Sequence, residues 1–235
     1  METRKHLYLI APLLFAVAGS AHSALVFTTE RDAFLSIAAS RGFDPAANTI
    51  NFDNATDGTV IPTGGFFGPL TFEYPGGLVG DWELMINNQP PATSSVPNSL
   101  GTTNAANQGQ LVDSDAFDIL IPDGTSMFGL TFLSSYGSIL DGDFLLTIDG
   151  LTGSSAVADR FQIRSTPTFG YFIGGYYEDR GQTFDRVTVG SWTGGGGSTF
   201  QFTVDDIVGV PVPATWLLFG AGLGLLGIVR RRAAR

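Results

Sequence analysis

The sequence predicts a mainly β protein, an antiparallel β-sandwich of jelly-roll type with one short helix near its beginning. Short runs rich in β-branched and aromatic residues recur along the chain and are separated by Gly, Pro, Asn and Asp. The 235 residues include 31 Gly and 19 Phe, which suits many short strands, tight turns and an aromatic core. Several runs alternate apolar and polar residues, as strands with one buried face do.

The chain begins with a segment typical of a secretory signal peptide. Arg4 and Lys5 precede an apolar run that ends in small residues near Ala18. Ala21 and Ser23 have the small side chains that a signal peptidase accepts before its cleavage point. We therefore expect residues 1–23 to be removed on export, which leaves an exported domain that spans residues 24–209.

One helix is predicted from Thr28 to Ala39, with Thr29 as its N-cap and Asp32 three residues further on. Its apolar face is formed by Phe34, Ile37 and Ala38. No second helix is predicted before the C-terminal segment.

Ten strands follow in the prediction, and they are Thr49–Phe52, Leu70–Tyr74, Trp82–Ile86, Ala116–Ile121, Met127–Leu133, Phe144–Ile148, Ala158–Arg164, Tyr171–Gly174, Thr183–Val189 and Thr199–Ile207. The alternation of Phe184, Val187 and Val189 contains a local irregularity. In the last strand, Phe202 alternates with Thr203, so one face is expected in the core and the other in water. Residues 87–110, rich in Pro, Asn, Ser and Thr, are predicted to form a long loop.

The composition excludes several classes of site. The chain has no Cys, and its two His residues, His6 and His22, lie within the segment that we expect to be removed. The exported chain therefore lacks the residues for Ser-His-Asp and Cys-His catalysis and for metal sites built on His or Cys. It retains six of the twelve basic residues, all Arg, and 21 of the 22 acidic ones, a formal charge of −15. Such a charge repels nucleic acid and attracts divalent cations or basic partners.

Pairs of aspartates suggest a Ca²⁺ site, because Ca²⁺ binds six to eight oxygen ligands. The pairs are Asp113 and Asp115 with Asp118 nearby, Asp141 with Asp143, and Asp205 with Asp206. We favour Asp205 and Asp206, because adjacent residues of a strand point to opposite faces and one carboxylate should point inward. The alternative is that these aspartates form turns on a solvated surface.

Tyr176 and Tyr177 lie between Gly-Gly and Glu-Asp, which predicts a loop with at least one exposed ring. Exposed rings offer a stacking surface for sugars, so an alternative function is that of a carbohydrate-binding module for exopolysaccharide. A second alternative is a glycosidase-like enzyme with a carboxylate pair. Its candidate residues are Glu30, Glu73, Glu83 and Glu178.

The C-terminal segment, residues 210–235, has three parts in a fixed order. The first is Val210, Pro211, Val212 and Pro213, in which the prolines favour an extended backbone. The second is an uncharged run over residues 214–229, which as a helix would be about 24 Å long and thus close to the thickness of a bilayer core. The residues expected to anchor it in the membrane are Ala214, Trp216, Leu217, Leu218, Phe219 and Val229. The third is a basic cluster that should remain in the cytoplasm, Arg230, Arg231 and Arg232.

This order resembles the PEP-CTERM sorting signal of bacterial exported proteins. The sequence departs from the usual pattern at Val212, where that family has Glu. The resemblance implies that the helix anchors the chain in the inner membrane until an exosortase processes the tail. The protein is then expected at the cell surface or outside the cell, in a structural or interaction role without enzymatic activity. An ordinary C-terminal membrane anchor is the simpler alternative.

Overall fold

The structure, a computed structural model, describes residues 24–88, 98–135, 139–163, 168–192 and 200–209. In these ranges the chain forms one α-helix and sixteen strands. Their bounds are β1 Leu25–Thr28, α1 Arg31–Ser40, β2 Thr49–Ile50, β3 Thr59–Ile61, β4 Gly65–Phe67, β5 Leu70–Glu73, β6 Leu84–Asn87, β7 Ser99–Thr102, β8 Leu111–Val112, β9 Ala116–Thr125, β10 Met127–Ser134, β11 Phe144–Ile148, β12 Leu151–Ser154, β13 Phe161–Gln162, β14 Phe169–Tyr177, β15 Phe184–Ser191 and β16 Gln201–Val208. The predicted mainly β class with one helix is confirmed.

The strands form two antiparallel sheets. Sheet A has the order β1-β14-β10-β16-β7-β6-β3, with the short strands β13, β2 and β8 attached to β14 and β16. Sheet B has the order β12-β11-β15-β9-β5-β4. The chain passes between the sheets repeatedly, since β9 belongs to sheet B, β10 to sheet A and β11 to sheet B again.

Both sheets contribute side chains to one hydrophobic core. Phe132 of β10 in sheet A stacks on Phe144 of β11 in sheet B, with ring centroids 4.7 Å apart and planes inclined by 14°. Phe202 of β16 meets the same Phe144 ring at 5.3 Å. Buried aromatic pairs of this kind add to the stabilisation that comes from removing apolar area from water.

Sheet B follows the predicted alternation. In β9, Phe117, Ile119 and Ile121 are buried, whereas Asp118 and Leu120 are partly exposed. The predicted irregularity before Val187 is also confirmed, because the pairing of β15 with β9 shifts register between Phe184 and Arg186. Sheet B therefore has one face in the core and one towards solvent.

Sheet A does not follow this pattern at its centre. The expectation that Thr203 faces water is wrong, because Thr203 is fully buried. The strand β16 lies between β10 and β7, and helix α1 packs on the outer face of the same sheet. Phe34 of α1 lies against Phe172 of β14, with ring centroids 5.1 Å apart. The outer face of sheet A is therefore partly a second, smaller core.

Three local predictions differ from the structure. Thr29 does not cap α1; the N-cap is Glu30, without a side-chain bond, and the Thr29 hydroxyl donates to Asp159 instead. The predicted loop 87–110 contains strand β7 and a 3₁₀ turn, Ala105–Asn107, while residues 89–97 lie outside the described ranges. The predicted strand 158–164 is replaced by a 3₁₀ turn, Val157–Asp159, and the two-residue strand β13.

No helix in the described ranges is long and apolar enough to cross a membrane. The predicted membrane helix, residues 214–229, lies outside those ranges.

Candidate functional site

Asp205 and Asp206 lie at a β-bulge in β16. The strand β10 has Gly129 opposite Val208 and Thr131 opposite Asp205, so β16 contains one more residue than β10 over this interval. Asp206 takes up the extra residue with a left-handed backbone, φ 47°. Asp is one of the few residues other than Gly that tolerate this conformation.

The bulge changes which way the two carboxylates point. In a regular strand they would face opposite sides, but here both are on the side of sheet A that bears helix α1. Asp205 is fully buried and shares this face with Thr131, while Asp206 is 8% exposed. The guanidinium of Arg31 lies 3.7 Å from the Asp206 carboxylate, and the Asp206 N–H donates to Asp205 Oδ1 at 2.9 Å. The sequence identified this pair, but the bulge could not be read from it.

Asp141 and Asp143 are used in a different way. Asp141 accepts a hydrogen bond from the Val157 N–H at 2.6 Å, which fixes the start of the 3₁₀ turn. Asp143 accepts one from the Leu140 N–H at 2.6 Å and thereby closes its own turn. At least one oxygen of each carboxylate therefore accepts a hydrogen bond from a backbone N–H group.

The third group of aspartates is divided between two environments. Asp115 is buried and accepts hydrogen bonds from the Val79 and Val112 N–H groups, both at 2.7 Å. Burial raises the pKa of the Asp115 carboxyl above its ordinary value, although these two hydrogen bonds oppose the change. Asp118 instead faces outward from β9. The three aspartates of this group do not converge on a common point.

The rings of Tyr176 and Tyr177 are partly buried at the end of β14. The guanidinium of Arg41 lies 4.8 Å from the centroid of the Tyr176 ring, which also packs on Phe34. The Tyr177 hydroxyl donates to Asp149, and this bond raises the pKa of Tyr177 to about 12. The predicted loop is a strand here, and the contacts leave little free ring surface for a sugar.

A polar surface that the sequence analysis missed lies on the outer face of sheet B. Arg186 of β15 donates to Asp118 at 2.8 Å and to Glu73 at 3.3 Å, which joins strands β15, β9 and β5. Thr188 also donates to Asp118, at 2.5 Å. A groove of about 260 Å³ begins at Asp118 and Thr188 and continues along the Pro75–Gly77 turn. The alternation within each strand predicts which residues point outward. Which of these residues become neighbours depends on the register between strands, and the sequence does not show that register.

Phe66 lies on the same outer face and is 76% exposed. Phe66 begins a row of paired residues that crosses four strands of sheet B. The row continues through Thr71 of β5 and Leu120 of β9, and it ends at Arg186 of β15. The outer face of sheet B therefore presents one free aromatic ring in line with a guanidinium group.

The four glutamates considered for a glycosidase lie on separate elements. Glu30 caps α1, Glu73 is in β5, Glu83 precedes β6, and Glu178 follows β14. Glu73 is bound to Arg186, and the hydrogen bonds and ion pairs of the described chain bring no two of these glutamates together.

The described part of the chain contains no group of three or more His, Cys, Asp or Glu residues arranged to hold a metal ion. The sorting motif 210–213, the membrane segment 214–229 and the arginines 230–232 lie outside the described residues. No known protein family matches this chain, and no curated protein matches it either.

Proposed function

We propose that this chain is an exported protein of the cell envelope or extracellular matrix, with a structural or interaction role and no enzymatic activity. Residues 1–23 direct its export, and residues 210–235 hold it in the inner membrane until an exosortase-type enzyme processes the tail. The exported part is a β-sandwich of jelly-roll type. The sandwich is supported by the Phe132–Phe144 stack, which joins the two sheets face to face.

The observation that carries this proposal is that the first and the last residue of the expected exported domain are both hydrogen-bonded to other parts of that domain. The Glu178 N–H donates to the carbonyl of Ala24, and the Thr125 hydroxyl donates to the carbonyl of Gly209 at 2.6 Å. Ala24 and Gly209 are the first and last residues of the expected exported domain. Removal of residues 1–23 and of the tail after 210–213 would therefore leave both bonds intact.

The intact mass of the protein isolated from its own cells tests this proposal. We expect a mass that lacks residues 1–23 and residues 214–235. In the Pro211→Ala, Pro213→Ala double variant the extended motif is weakened, so we expect the tail to be retained and the protein to stay in the membrane fraction. A wild-type mass that still includes residues 214–235 would refute processing and leave an ordinary anchor.

Carbohydrate binding is a second candidate function, and the exposed outer face of sheet B favours it. Phe66 offers a free ring, while Arg186, Asp118 and Glu73 offer charged hydrogen-bonding groups for sugar hydroxyls. Because the exported chain carries a formal charge of −15, a neutral polysaccharide suits this face better than an anionic one.

A glycan array tests this second candidate with the purified protein. We expect binding to neutral glycans, lost in Phe66→Ala and unchanged in Leu151→Ala, which removes another exposed apolar side chain at the far edge of sheet B. Loss of binding in Tyr176→Ala but not in Phe66→Ala would place the site at the end of β14 instead.

A further inference from the structure

The expected exported domain begins and ends at the same end of the fold. Strand β1 begins at Leu25, which is directly opposite Tyr177 of β14. The Tyr177 N–H donates to the carbonyl of Ser126 at 2.9 Å. The hydroxyl of Thr125, the residue before Ser126, donates to the carbonyl of Gly209 at 2.6 Å. A continuous row of contacts therefore connects the two points, and we call the region of Leu25, Thr125 and Gly209 the junction end.

The junction end is closely tied to the predicted membrane helix. The Gly209 N–H donates to the carbonyl of Asn48 at 3.2 Å, so Gly209 is held from two sides. Ala214, the first residue of the predicted helix, is five residues further along the chain. Five residues span at most about 18 Å even when fully extended. A tail inserted in the membrane therefore keeps Gly209 within that distance of the membrane.

The opposite end of the fold lies farther away than the tail can reach. Phe184 of β15 is opposite Thr125 of β9, whereas Gly190 is opposite Ala116, the first residue of β9. The ten residues of β9 cover about 30 Å at the usual rise of a strand. Trp192, two residues after Gly190, therefore lies at the end that is remote from the tail.

The remote end carries exposed apolar side chains. The Asp143 carbonyl accepts a hydrogen bond from the Trp192 N–H at 2.9 Å, and the Asp143 carboxylate accepts one from the Leu140 N–H at 2.6 Å. Trp192 is 59% exposed and Leu140 is 66% exposed. We call the region of Leu140 and Trp192 the far end. Its side chains lie where the membrane that holds the tail does not cover them.

The charge of the domain decides between an upright and a flat orientation on that membrane. Residues 24–209 carry a formal charge of −15, so a surface of anionic lipid repels them. This repulsion is strong only within about 8 Å of the surface at physiological ionic strength. A flat domain would bring carboxylates along its whole length into this layer, whereas an upright domain brings in only one end. The repulsion therefore favours the upright orientation.

We propose that, while the tail is in place, the domain stands upright on the inner membrane, with the junction end towards the lipid headgroups and the far end directed away. This inference rests on the proposed anchoring by residues 214–229. It adds which surface faces the membrane, namely the segment before Asn48 and the turn 125–126. The signal peptidase and the exosortase-type enzyme then cut on the same side of the domain, and Leu140 and Trp192 remain free for a partner.

Fluorescence quenching by lipids tests this orientation. The chain has no Cys, so a single introduced Cys carries the only label. Ala47→Cys is at an exposed position next to Asn48 at the junction end, and Leu140→Cys is its counterpart at the far end. The full chain is made in cells without an exosortase, so that the tail is retained. It is then reconstituted in vesicles of anionic lipid that include lipids with a nitroxide headgroup.

We expect the nitroxide lipids to quench the label at position 47 and to leave the label at position 140 unquenched, because the two ends are about 30 Å apart. In a control variant, a Gly-Ser linker of about 20 residues, with a root-mean-square span of about 25 Å, is inserted between Gly209 and Val210. This linker releases the domain from the surface, so the quenching at position 47 should be largely lost.

Equal quenching of the two labels, or quenching of neither, would overturn the upright orientation. Quenching at position 47 that persists with the long linker would also overturn it, because the short tether would not be its cause. Flotation of the vesicles on a density gradient is measured separately. A protein that does not float with the vesicles would refute the proposed anchoring and the orientation with it, whereas a floating protein with equally quenched labels would overturn the orientation alone.

Discussion

At the scale of single residues, the aspartates of this protein act largely as acceptors for backbone N–H groups. Asp115 shows this most clearly, because its two oxygens accept from two separate segments, at Val79 and at Val112. These bonds attach the irregular segment before β6 to the turn before β9. Residue type and spacing predicted possible cation ligands, but which N–H group lies near each carboxylate depends on turn geometry that spacing alone does not determine.

The substitution Asp115→Asn should destabilise the fold, although the two side chains have nearly the same size and shape. An amide has one acceptor oxygen, so its NH₂ group would face one of the two backbone N–H donors and leave that donor unsatisfied. We expect the free energy of unfolding to fall by about 1–3 kcal/mol, measured by urea denaturation. Asp113→Asn, two residues away at a partly exposed position, is the control and should change it by less than about 0.5 kcal/mol. Equal effects of the two substitutions would contradict the role assigned to Asp115.

At the scale of secondary-structure elements, helix α1 docks on sheet A through a glycine. A Cβ atom added to Gly174 of β14 would lie 2.4 Å from Cδ2 of Phe34. The ring of Phe34 is fully buried between Phe172 and Tyr176, so it has no room to move aside. The absence of a side chain at Gly174 thus allows the helix to approach the strand closely.

Gly174→Ala should therefore loosen the helix and destabilise the protein. Overpacking of a tight core costs about 1–3 kcal/mol, and we expect a loss of that size in urea denaturation. Gly76→Ala is the matched control: no atom lies within 4 Å of its added Cβ, so it should be neutral or slightly stabilising. Combining Gly174→Ala with Phe34→Leu should recover part of the loss, because the smaller side chain makes room. If Gly174→Ala behaves like Gly76→Ala, the helix does not depend on this contact.

The sequence predicts best those strands that have one face in the core and one face exposed, because their residues alternate between apolar and polar. The predicted strand 144–148 agrees with β11 at both ends, and it lies in sheet B, which has one face in the core. The strand β7, Ser-Leu-Gly-Thr, lies within the predicted loop 87–110, because it has only one large apolar residue and therefore no alternating pattern. Pairing with β6 and β16 holds it in place, and such long-range pairing leaves no local signal. The bulge at Asp206 was hidden for the same reason.

At the scale of the whole molecule, charge is the dominant feature of residues 24–209. This part of the chain carries a formal charge of −15 with six arginines and no lysine. Among the described residues, three ion pairs join Arg to Asp or Glu, and two of them share Arg186. The compact fold brings these charges closer together than they are in the unfolded chain, and the resulting repulsion lowers its stability.

Salt should therefore stabilise this protein, whereas it weakens proteins that depend on surface ion pairs. Raising NaCl from 0.05 to 0.5 M shortens the Debye length from about 14 Å to about 4 Å, so repulsion between surface carboxylates is largely screened. We expect the melting temperature of the full chain to rise across this range, as measured by circular dichroism. The rise should be smaller in the double variant Glu83→Gln, Asp185→Asn, which removes two exposed negative charges. A constant or falling melting temperature would show that repulsion within the acidic surface does not limit the stability of the protein.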